Sequence, residues 1–248
     1  GGGSPSSNAG VGPGAGGRGW RRSYSAWSWG QRSPPPTGTG LACDTGDDSP
    51  PWAALEQLGL AQRCQRVQCR PPTDEELLLL HSPPSLAQSE AQTSSCPPPG
   101  GSLLELLGKV LSGTLRNGLV LLGPPGPPPE ASGVLGAVGL AARVAQRHHG
   151  VQRILIMYWG VRPGPLVPQI FLEDPGVLCF GVHQARDPPV GVGSGRGEGF
   201  TVSVHWDQLG GSDGDFAAAA FQLLLPIACQ FQPQLVLVAA GCDRDPEG

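Results

Sequence analysis

Side chains that could bind a metal ion stand near the ends of two apolar runs. His183 ends one run, and Cys242 and Asp243 follow another. Imidazole, thiolate and carboxylate together could hold a transition metal. Adjacent residues of an extended chain point to opposite faces, however, so Cys242 and Asp243 would seldom reach the same ion. The spacing therefore argues against a shared metal site at these three residues.

Two adjacent histidines, His148 and His149, form a second group that could do chemistry. Tandem histidines can act as general acid and general base. These two lie at the end of a predicted helix, where Gly150 is placed to terminate it. Imidazolium groups at a helix C-terminus complement the helix dipole. The position therefore favours a helix terminus over a catalytic pair.

Two further patterns could bind an anion. Residues 191–200 are glycine-rich, as phosphate-binding loops are. This run precedes a predicted strand, whereas a phosphate loop follows one, so a surface loop is favoured. Arg162 with Arg153 or Arg186 could form an anion site, and solvated arginines are the alternative.

The bulk composition limits the classes of function. The 248 residues include 39 Gly and 28 Pro, and the net charge is −4, which gives no positive field for nucleic acid. The seven cysteines form no CxxC pair, which favours a reduced intracellular compartment. We expect no transmembrane helix and no signal peptide, because neither pattern is evident. The first residue is Gly and the last lies just after a strand-like run, so we expect a fragment.

The elements that would position these side chains begin with short apolar runs, which are typical of strands buried on both faces of a parallel sheet. The runs are 118–122, 153–158, 177–182, 200–205 and 235–240. Helices are predicted at 131–149 and at 213–229, the second interrupted at Pro226. This alternation predicts a three-layer α/β sandwich with a mostly parallel, doubly wound sheet, whose functional side chains follow the carboxyl ends of the strands.

The N-terminal part divides into a tail and the start of the domain. Residues 1–42 are rich in Gly, Pro, Ser and Arg and predict a disordered tail, while 43–248 form the domain. Order is expected from about Trp52, with a helix over 52–60. Thr73 and Glu76 have the spacing of a capping box. A leucine-rich helix is expected over 102–112.

Several segments resemble one known family. Residues 153–165 read RILIMYWGVRPGP and residues 171–183 read FLEDPGVLCFGVH. They resemble R-I-L-I-V-D-W-D-V-H-H-G-Q-G and F-E-D-D-P-S-V-L-Y-x-S-L-H of the class IIb histone deacetylases, which are zinc-dependent lysine deacetylases with an arginase-like fold. Residues 55–82, 199–219 and 223–243 are similar to the same family. The resemblance covers most of 45–248 and implies a deacetylase-like domain, which we expect to be incomplete at its C-terminus.

The metal ligands that the resemblance implies are largely replaced. The family holds Zn²⁺ with Asp, His and a second Asp. The first Asp falls on Gly160, which has no donor, and the His falls on Arg162, whose guanidinium stays protonated. Only the second Asp is retained, as Asp243. We therefore expect no zinc to be bound here.

The proton-transfer residues are also replaced. The family's P-P-G-H-H motif reads PPGPPPE here, which places Pro127 and Pro128 at the tandem histidines. Proline cannot act as a general acid or base. The family's Gly-Phe-Cys segment has no counterpart within 130–138, and its oxyanion-stabilising Tyr would lie beyond Gly248. No residue of this chain is therefore predicted to be catalytic.

Three hypotheses follow from the sequence. The first is a non-catalytic pseudo-deacetylase that binds protein partners or supports a tandem deacetylase domain, in the cytoplasm or nucleus, without direct contact with nucleic acid or membrane. The second is an active zinc-dependent lysine deacetylase, with an acetylated protein as substrate, if the sequence misrepresents an intact gene. The third is a chain that does not fold alone.

Overall fold

The computed structural model describes residues 38–44, 49–79, 100–122, 134–159, 170–184, 192–206 and 212–240. Within these ranges the strands form two sheets, and every paired strand is parallel to its neighbour. The strands are β1 Thr39–Cys43, β2 Gln65–Arg66, β3 Asn117–Leu121, β4 Ile154–Trp159, β5 Val177–Gln184, β6 Thr201–Trp206 and β7 Leu235–Ala240. One sheet has the order β2-β1-β3 and the other β6-β5-β4-β7.

Helices cover both faces of the four-stranded sheet. The helices of the described residues are α1 Pro50–Gln57, α2 Asp74–Leu77, α3 Gly101–Leu111, α4 Val134–His149 and α5 Asp213–Phe231. Ala141 and Ala145 of α4 pack with Ile156 of β4 on one face. On the opposite face, Leu224 and Ala228 of α5 pack with Leu155 of β4. The predicted three-layer, parallel α/β sandwich is therefore confirmed.

The helix α5 differs from its predicted interruption at Pro226. The helix begins with the capping box of Ser212 and Asp215 and runs on past the proline. Residues Ala220–Leu224 form a π-helical turn just before it. Proline lacks an N–H and its ring crowds the carbonyl four residues earlier, and a wider turn relieves that crowding. The prediction of a break is wrong, because the helix continues through Pro226 after a π-helical turn.

The same helix bears on the prediction about membrane segments. Among the described residues, Asp213–Phe231 is long and apolar enough to cross a membrane by length and composition. The sequence analysis predicted no such segment, because no apolar stretch of the required length was evident. The helix lies along the sheet through Leu224 and Ala228, so in this structure it is an outer-layer helix.

The strand β1 corrects the predicted start of order. It is the central strand of the three-stranded sheet, with Leu41 and Ala42 buried, so order does not begin near Trp52. The boundary predicted between residues 42 and 43 falls inside this strand. A Cβ at Gly40 would clash with Leu106 and lie 2.7 Å from Leu115 Cδ1. Close packing requires glycine at this position. Because glycine is uncommon in strands, the sequence pattern did not predict β1.

The predicted capping box at α2 is confirmed and is reinforced by an arginine. The Glu76 backbone N–H donates to Thr73 Oγ1 at 3.3 Å, and the Thr73 N–H donates to Glu76 Oε2 at 2.7 Å. Arg70 donates to both carboxylate oxygens of Glu76 at 2.7 and 2.8 Å. The hydrogen bond from Arg70 lowers the pKa of Glu76 to about 2, against the opposing effect of burial. Ionised Glu76 therefore stabilises the fold.

We predict that Glu76→Gln lowers the free energy of unfolding at pH 7 by about 1 kcal/mol, because the pair with Arg70 is partly exposed. A carboxyl with a depressed folded pKa stabilises above its unfolded pKa and loses that contribution as pH falls through the folded value. The difference from wild type should therefore shrink between about pH 4.5 and pH 2. Urea denaturation at pH 7 and pH 3 measures it, with Glu75→Gln as the exposed control. Equal effects of the two variants at pH 7 would contradict the prediction.

Candidate functional site

The carboxyl ends of four parallel strands meet at one edge of the larger sheet. Trp159 at the end of β4 pairs with Ala240 at the end of β7. Gln184 at the end of β5 pairs with Trp206 at the end of β6. Loops that leave this edge are where open α/β sheets bind ligands. The sequence-predicted site is therefore expected beyond these strand ends.

Most of the predicted site residues lie outside the described residues. Gly160 follows β4 by one residue and Asp243 follows β7 by three, and β4 and β7 are neighbours. The other positions outside the described residues are Arg162, Pro127, Pro128, Arg186 and Cys242. His183 belongs to β5, but its side chain is also outside the described residues. Their assigned roles therefore remain predictions.

Tyr158 is the last buried side chain of β4 before this edge. Its side chain is only 2% exposed, whereas the adjacent Trp159 is 43% exposed. Its registered neighbours are Gly181 on β5 and Ala239 on β7, and both are small. Tyr158 belongs to the apolar cluster that includes Cys179. A large aromatic ring therefore fills the sheet face just below the edge.

The polar groups of Tyr158 and Cys179 are uncharged near neutral pH. Burial raises the pKa of the Cys179 thiol to about 12. Burial, together with the nearby Cys179, raises the pKa of Tyr158 well above its usual value. Within the described part of the chain the Tyr158 hydroxyl has no oxygen or nitrogen partner, and the nearby Cys179 thiol offers only a weak sulfur acceptor. This part of the site offers no anionic group to a cation.

A stacked aromatic pair joins the end of β4 to the start of α5. The rings of Trp159 and Phe216 have centroids 5.5 Å apart and an interplanar angle of 17°. Offset stacking of this kind adds a favourable contact beyond burial of apolar area. The pair holds the first turns of α5 beside the site edge.

The two histidines at the end of α4 are confirmed as a helix terminus. His148 and His149 are the last residues of α4, and Gly150 follows with φ of 66°. The Val151 N–H donates to the Ala145 carbonyl at 3.0 Å and closes the turn. β4 begins four residues after Gly150, so the histidines lie toward its amino end. The histidines therefore lie toward the edge of the sheet opposite the candidate site.

The alternative anion site of Arg162 with Arg153 or Arg186 stays untested, because Arg162 and Arg186 lie outside the described residues, but the position of Arg153 argues against its part in such a site. Arg153 precedes β4 and donates from Nε to the Gln232 carbonyl at 2.8 Å, while Arg162 follows the other end of that strand. Six extended residues separate the two ends by roughly 20 Å. The described part of the glycine-rich run, 192–200, precedes β6 as predicted, with a 3₁₀ turn at Gly195–Gly197. A phosphate loop at that position is therefore excluded.

A cavity of about 580 Å³ opens at the amino edge of the sheet, away from the candidate site. Its lining includes Arg143, Asp174 and Arg196, in segments that precede β5 and β6 or belong to α4. Arg143 donates to Asp174 at 2.8 Å and lies over the Phe171 ring at 4.4 Å. Its charge is thus already balanced. Across the described residues, no group of three His, Cys, Asp or Glu side chains could hold a metal ion.

The sequence analysis missed Tyr158 and Cys179 as residues of interest. It compared only the positions of metal ligands and proton donors with the family pattern. The quoted family runs have Asp where Tyr158 stands and Tyr where Cys179 stands. The signal was therefore present in the sequence, but the pairing of β4 with β5 was needed to bring the two changes together.

Comparison with known proteins gives a consistent result. Residues 89–247 match the family "Histone deacetylase domain". The chain is 37% identical to human "Polyamine deacetylase HDAC10" over 236 residues, which is 78% of this chain and 35% of that protein. It is 30% identical to Arabidopsis thaliana "Histone deacetylase 5" over 243 residues, covering 79% and 37%. The chain thus spans little more than a third of these relatives.

A solved structure supports the same fold. The structure titled "Crystal Structure of HDA15 HD domain" superposes with a TM-score of 0.71 and 23% sequence identity. The match covers 85% of this chain and 75% of that one. At this identity the likeness concerns the fold, and it agrees with the predicted arginase/deacetylase-like architecture.

We predict that Tyr158→Phe leaves the free energy of unfolding unchanged or raises it by about 1 kcal/mol, because it removes a buried hydroxyl without a partner. Tyr158→Ala should lower it by about 3–5 kcal/mol, because the ring fills the core. Urea denaturation followed by circular dichroism measures both. A clear loss of stability in Tyr158→Phe would show that the hydroxyl has an acceptor.

Proposed function

Because the chain belongs to the histone deacetylase family, we propose that it is a non-catalytic member, which binds protein partners or supports a neighbouring deacetylase domain. The proposal rests above all on the identity of the residues at the family's metal positions. The buried, uncharged Tyr158 next to those positions supports it from the structure.

The residues present do not suit the family's zinc ion. Bound zinc would supply a Lewis acid and an activated water to this chemistry. Gly160 has no side-chain donor, Arg162 carries a fixed positive charge, and only Asp243 is a suitable ligand. Catalytic zinc sites use three protein ligands. The orphaned hydroxyl of Tyr158, two residues before Gly160, adds no anionic donor.

In this proposal, the residues at the family's tandem histidine positions transfer no proton. Pro127 and Pro128 have no titratable side chain, so neither can take a proton from water or return one to a leaving amine. The histidines of α4 do not replace them, because they lie toward the amino end of β4. Binding, without turnover, is the function that these residues allow.

The expected setting follows from composition and from the family. The five described cysteines form no disulfide, and a reduced compartment suits an intracellular protein of cytoplasm or nucleus. We propose protein partners, including a tandem deacetylase domain, and no direct contact with nucleic acid or membrane. The domain in this proposal extends from 43 to 248 together with the β1 residues before it, and most of 1–42 is a tail.

The alternative function is an active deacetylase. The relatives named "Polyamine deacetylase HDAC10" are 34–37% identical to this chain, and this similarity favours hydrolysis of an N-acetylated polyamine or an acetyl-lysine protein. That reaction needs a metal-bound water or another activated nucleophile. The residues assigned to the site supply neither.

We predict that the purified chain holds far less than one zinc ion per molecule after dialysis against zinc-containing buffer, because one carboxylate cannot retain the ion. It should release no acetate above background from an acetyl-lysine peptide or an N-acetylated polyamine. Elemental analysis and an acetate assay measure these quantities, and an active family member serves as the positive control.

Stoichiometric zinc together with acetate release would favour the active alternative and refute the proposal. A cooperative thermal melt of the same preparation is expected, and it separates both functions from a chain that does not fold alone.

A further inference from the structure

We propose that the chain binds an extended, apolar segment of a partner protein as an added strand between β3 and β7. This inference rests on the proposed partner-binding function and deepens it, because it states the chemistry of the partner. The place bounded by the outer edges of these two strands is called the β3–β7 opening below.

Both strands that bound the opening have one edge without a partner strand among the described residues. There β3 pairs with β1 alone, and β7 pairs with β4 alone. Backbone N–H and C=O groups along such an edge can pair with a further strand. Proteins often prevent this with charged side chains or proline on the edge, and neither Asn117–Leu121 nor Leu235–Ala240 contains one.

The sequence of β7 is typical of an interior strand rather than an edge strand. At the other edge of the same sheet, β6 reads TVSVHW and largely alternates polar with apolar residues, as half-buried strands do. In contrast, β7 reads LVLVAA, and such unbroken apolar runs are typical of strands covered on both faces. The structure covers only one face, because Val236 and Val238 are 47% and 54% exposed. The second face of β7 therefore lacks the cover that its sequence predicts.

The exposed aliphatic side chains at the opening lie on one side of the two sheets. A Cβ at Gly118 of β3 would clash with α3, so the next residue, Leu119, points to the opposite side, where it is 46% exposed. Leu237 of β7 packs in the cluster that contains α4, so Val236 and Val238 point away from α4. An apolar surface therefore flanks the opening on the side away from α3 and α4.

The helices α3 and α4 cover the other side of the opening. Leu104 and Leu107 of α3 share a cluster with α4 and β7, while Leu106 of α3 packs with Ala42 of β1. The contact between the two helices thus brings β3 and β7 beneath one helical layer. A single extended segment suits this place because it adds no layer of its own. A second copy of the chain would bring the helices on both faces of its sheet against α3.

The composition of the remaining sequence favours a partner protein as the source of the strand. Outside the described ranges, the 248 residues contain no run of four apolar residues, and those stretches are rich in Gly, Pro and Ser. Proline cannot donate to a strand ladder, and glycine has no side chain to pack. We therefore expect a partner segment of five or six aliphatic or aromatic residues without charge or proline, which matches the apolar surface beside the opening.

The test measures the binding of two fluorescein-labelled peptides to the purified chain by fluorescence anisotropy. One peptide is Lys-Lys-Val-Ile-Val-Ile-Val-Lys-Lys, and the other has Pro in place of both Ile residues, so that it cannot complete a ladder. The variant Val236→Lys with Val238→Lys places two charges beside the opening. The matched control, Leu78→Lys with Val192→Lys, changes two exposed aliphatic residues that follow α2 and precede β6. Circular dichroism melts check that both variants fold.

We expect the chain to bind the apolar peptide at least about tenfold more tightly than the proline peptide, because only the first can pair along both edges. The variant Val236→Lys with Val238→Lys should lose at least about tenfold in affinity for the apolar peptide, and the control variant should bind as wild type does. Bound peptide should slow amide hydrogen exchange in β3 and β7 and leave it unchanged in β6.

Four results would overturn the inference. They are no binding of the apolar peptide, equal affinity for the two peptides, equal loss of affinity in the two variants, and slowed exchange elsewhere without any in β3 and β7. Analytical ultracentrifugation tests the remaining occupant, a second copy. We expect a monomer, whereas a dimer that only Val236→Lys with Val238→Lys dissociates would assign the opening to a second copy and also overturn the inference.

The outcomes separate this inference from the proposed function. Stoichiometric zinc with acetate release would refute the non-catalytic proposal, whether or not a strand binds. A zinc-free, inactive chain that does not bind the apolar peptide would leave the non-catalytic proposal standing and refute the strand site alone.

Discussion

Parallel pairing of β4 with β5 on one side and β7 on the other is the constraint on which the site depends. It brings the carboxyl ends of three strands that are far apart in the sequence to one edge of the sheet. It also buries β4 on both faces, because α4 covers one face and α5 the other. Any polar group on β4 must therefore be satisfied within the protein or incur a desolvation cost. Among the described side chains of β4, Tyr158 carries that cost, because its hydroxyl has only the Cys179 thiol near it.

Much of the fold followed from apolar runs because burial on both faces leaves a strong sequence pattern. β7 was predicted to the residue, and β3, β4, β5 and β6 were predicted with shifted ends. The capping box at Thr73 was also predicted, since its hydrogen bonds are local. What failed were elements that depend on tertiary contacts. β1 is short and contains Gly40, whose absent side chain makes sense only beside Leu106.

The edge of the sheet at which the candidate site lies was predictable, whereas the residues assigned to that site stay predictions. In the chain, Gly160 and Asp243 follow β4 and β7, and the sheet order shows that these two strands are neighbours. The solvated arginines that the sequence favoured over an anion site agree with the place of Arg153, which lies before β4, whereas position 162 follows that strand. The closeness of Tyr158 and Cys179 could not be recognised without the strand register.

That register has a consequence for how the interior tolerates substitution. Replacing Tyr158 alone by an acid would open a void and bury a charge, and replacing Cys179 alone by tyrosine would overfill the same space. Residues in contact do not contribute independently to stability. Each single substitution is therefore opposed by the packing of its neighbours, so this interior accommodates concerted changes of volume better than stepwise ones.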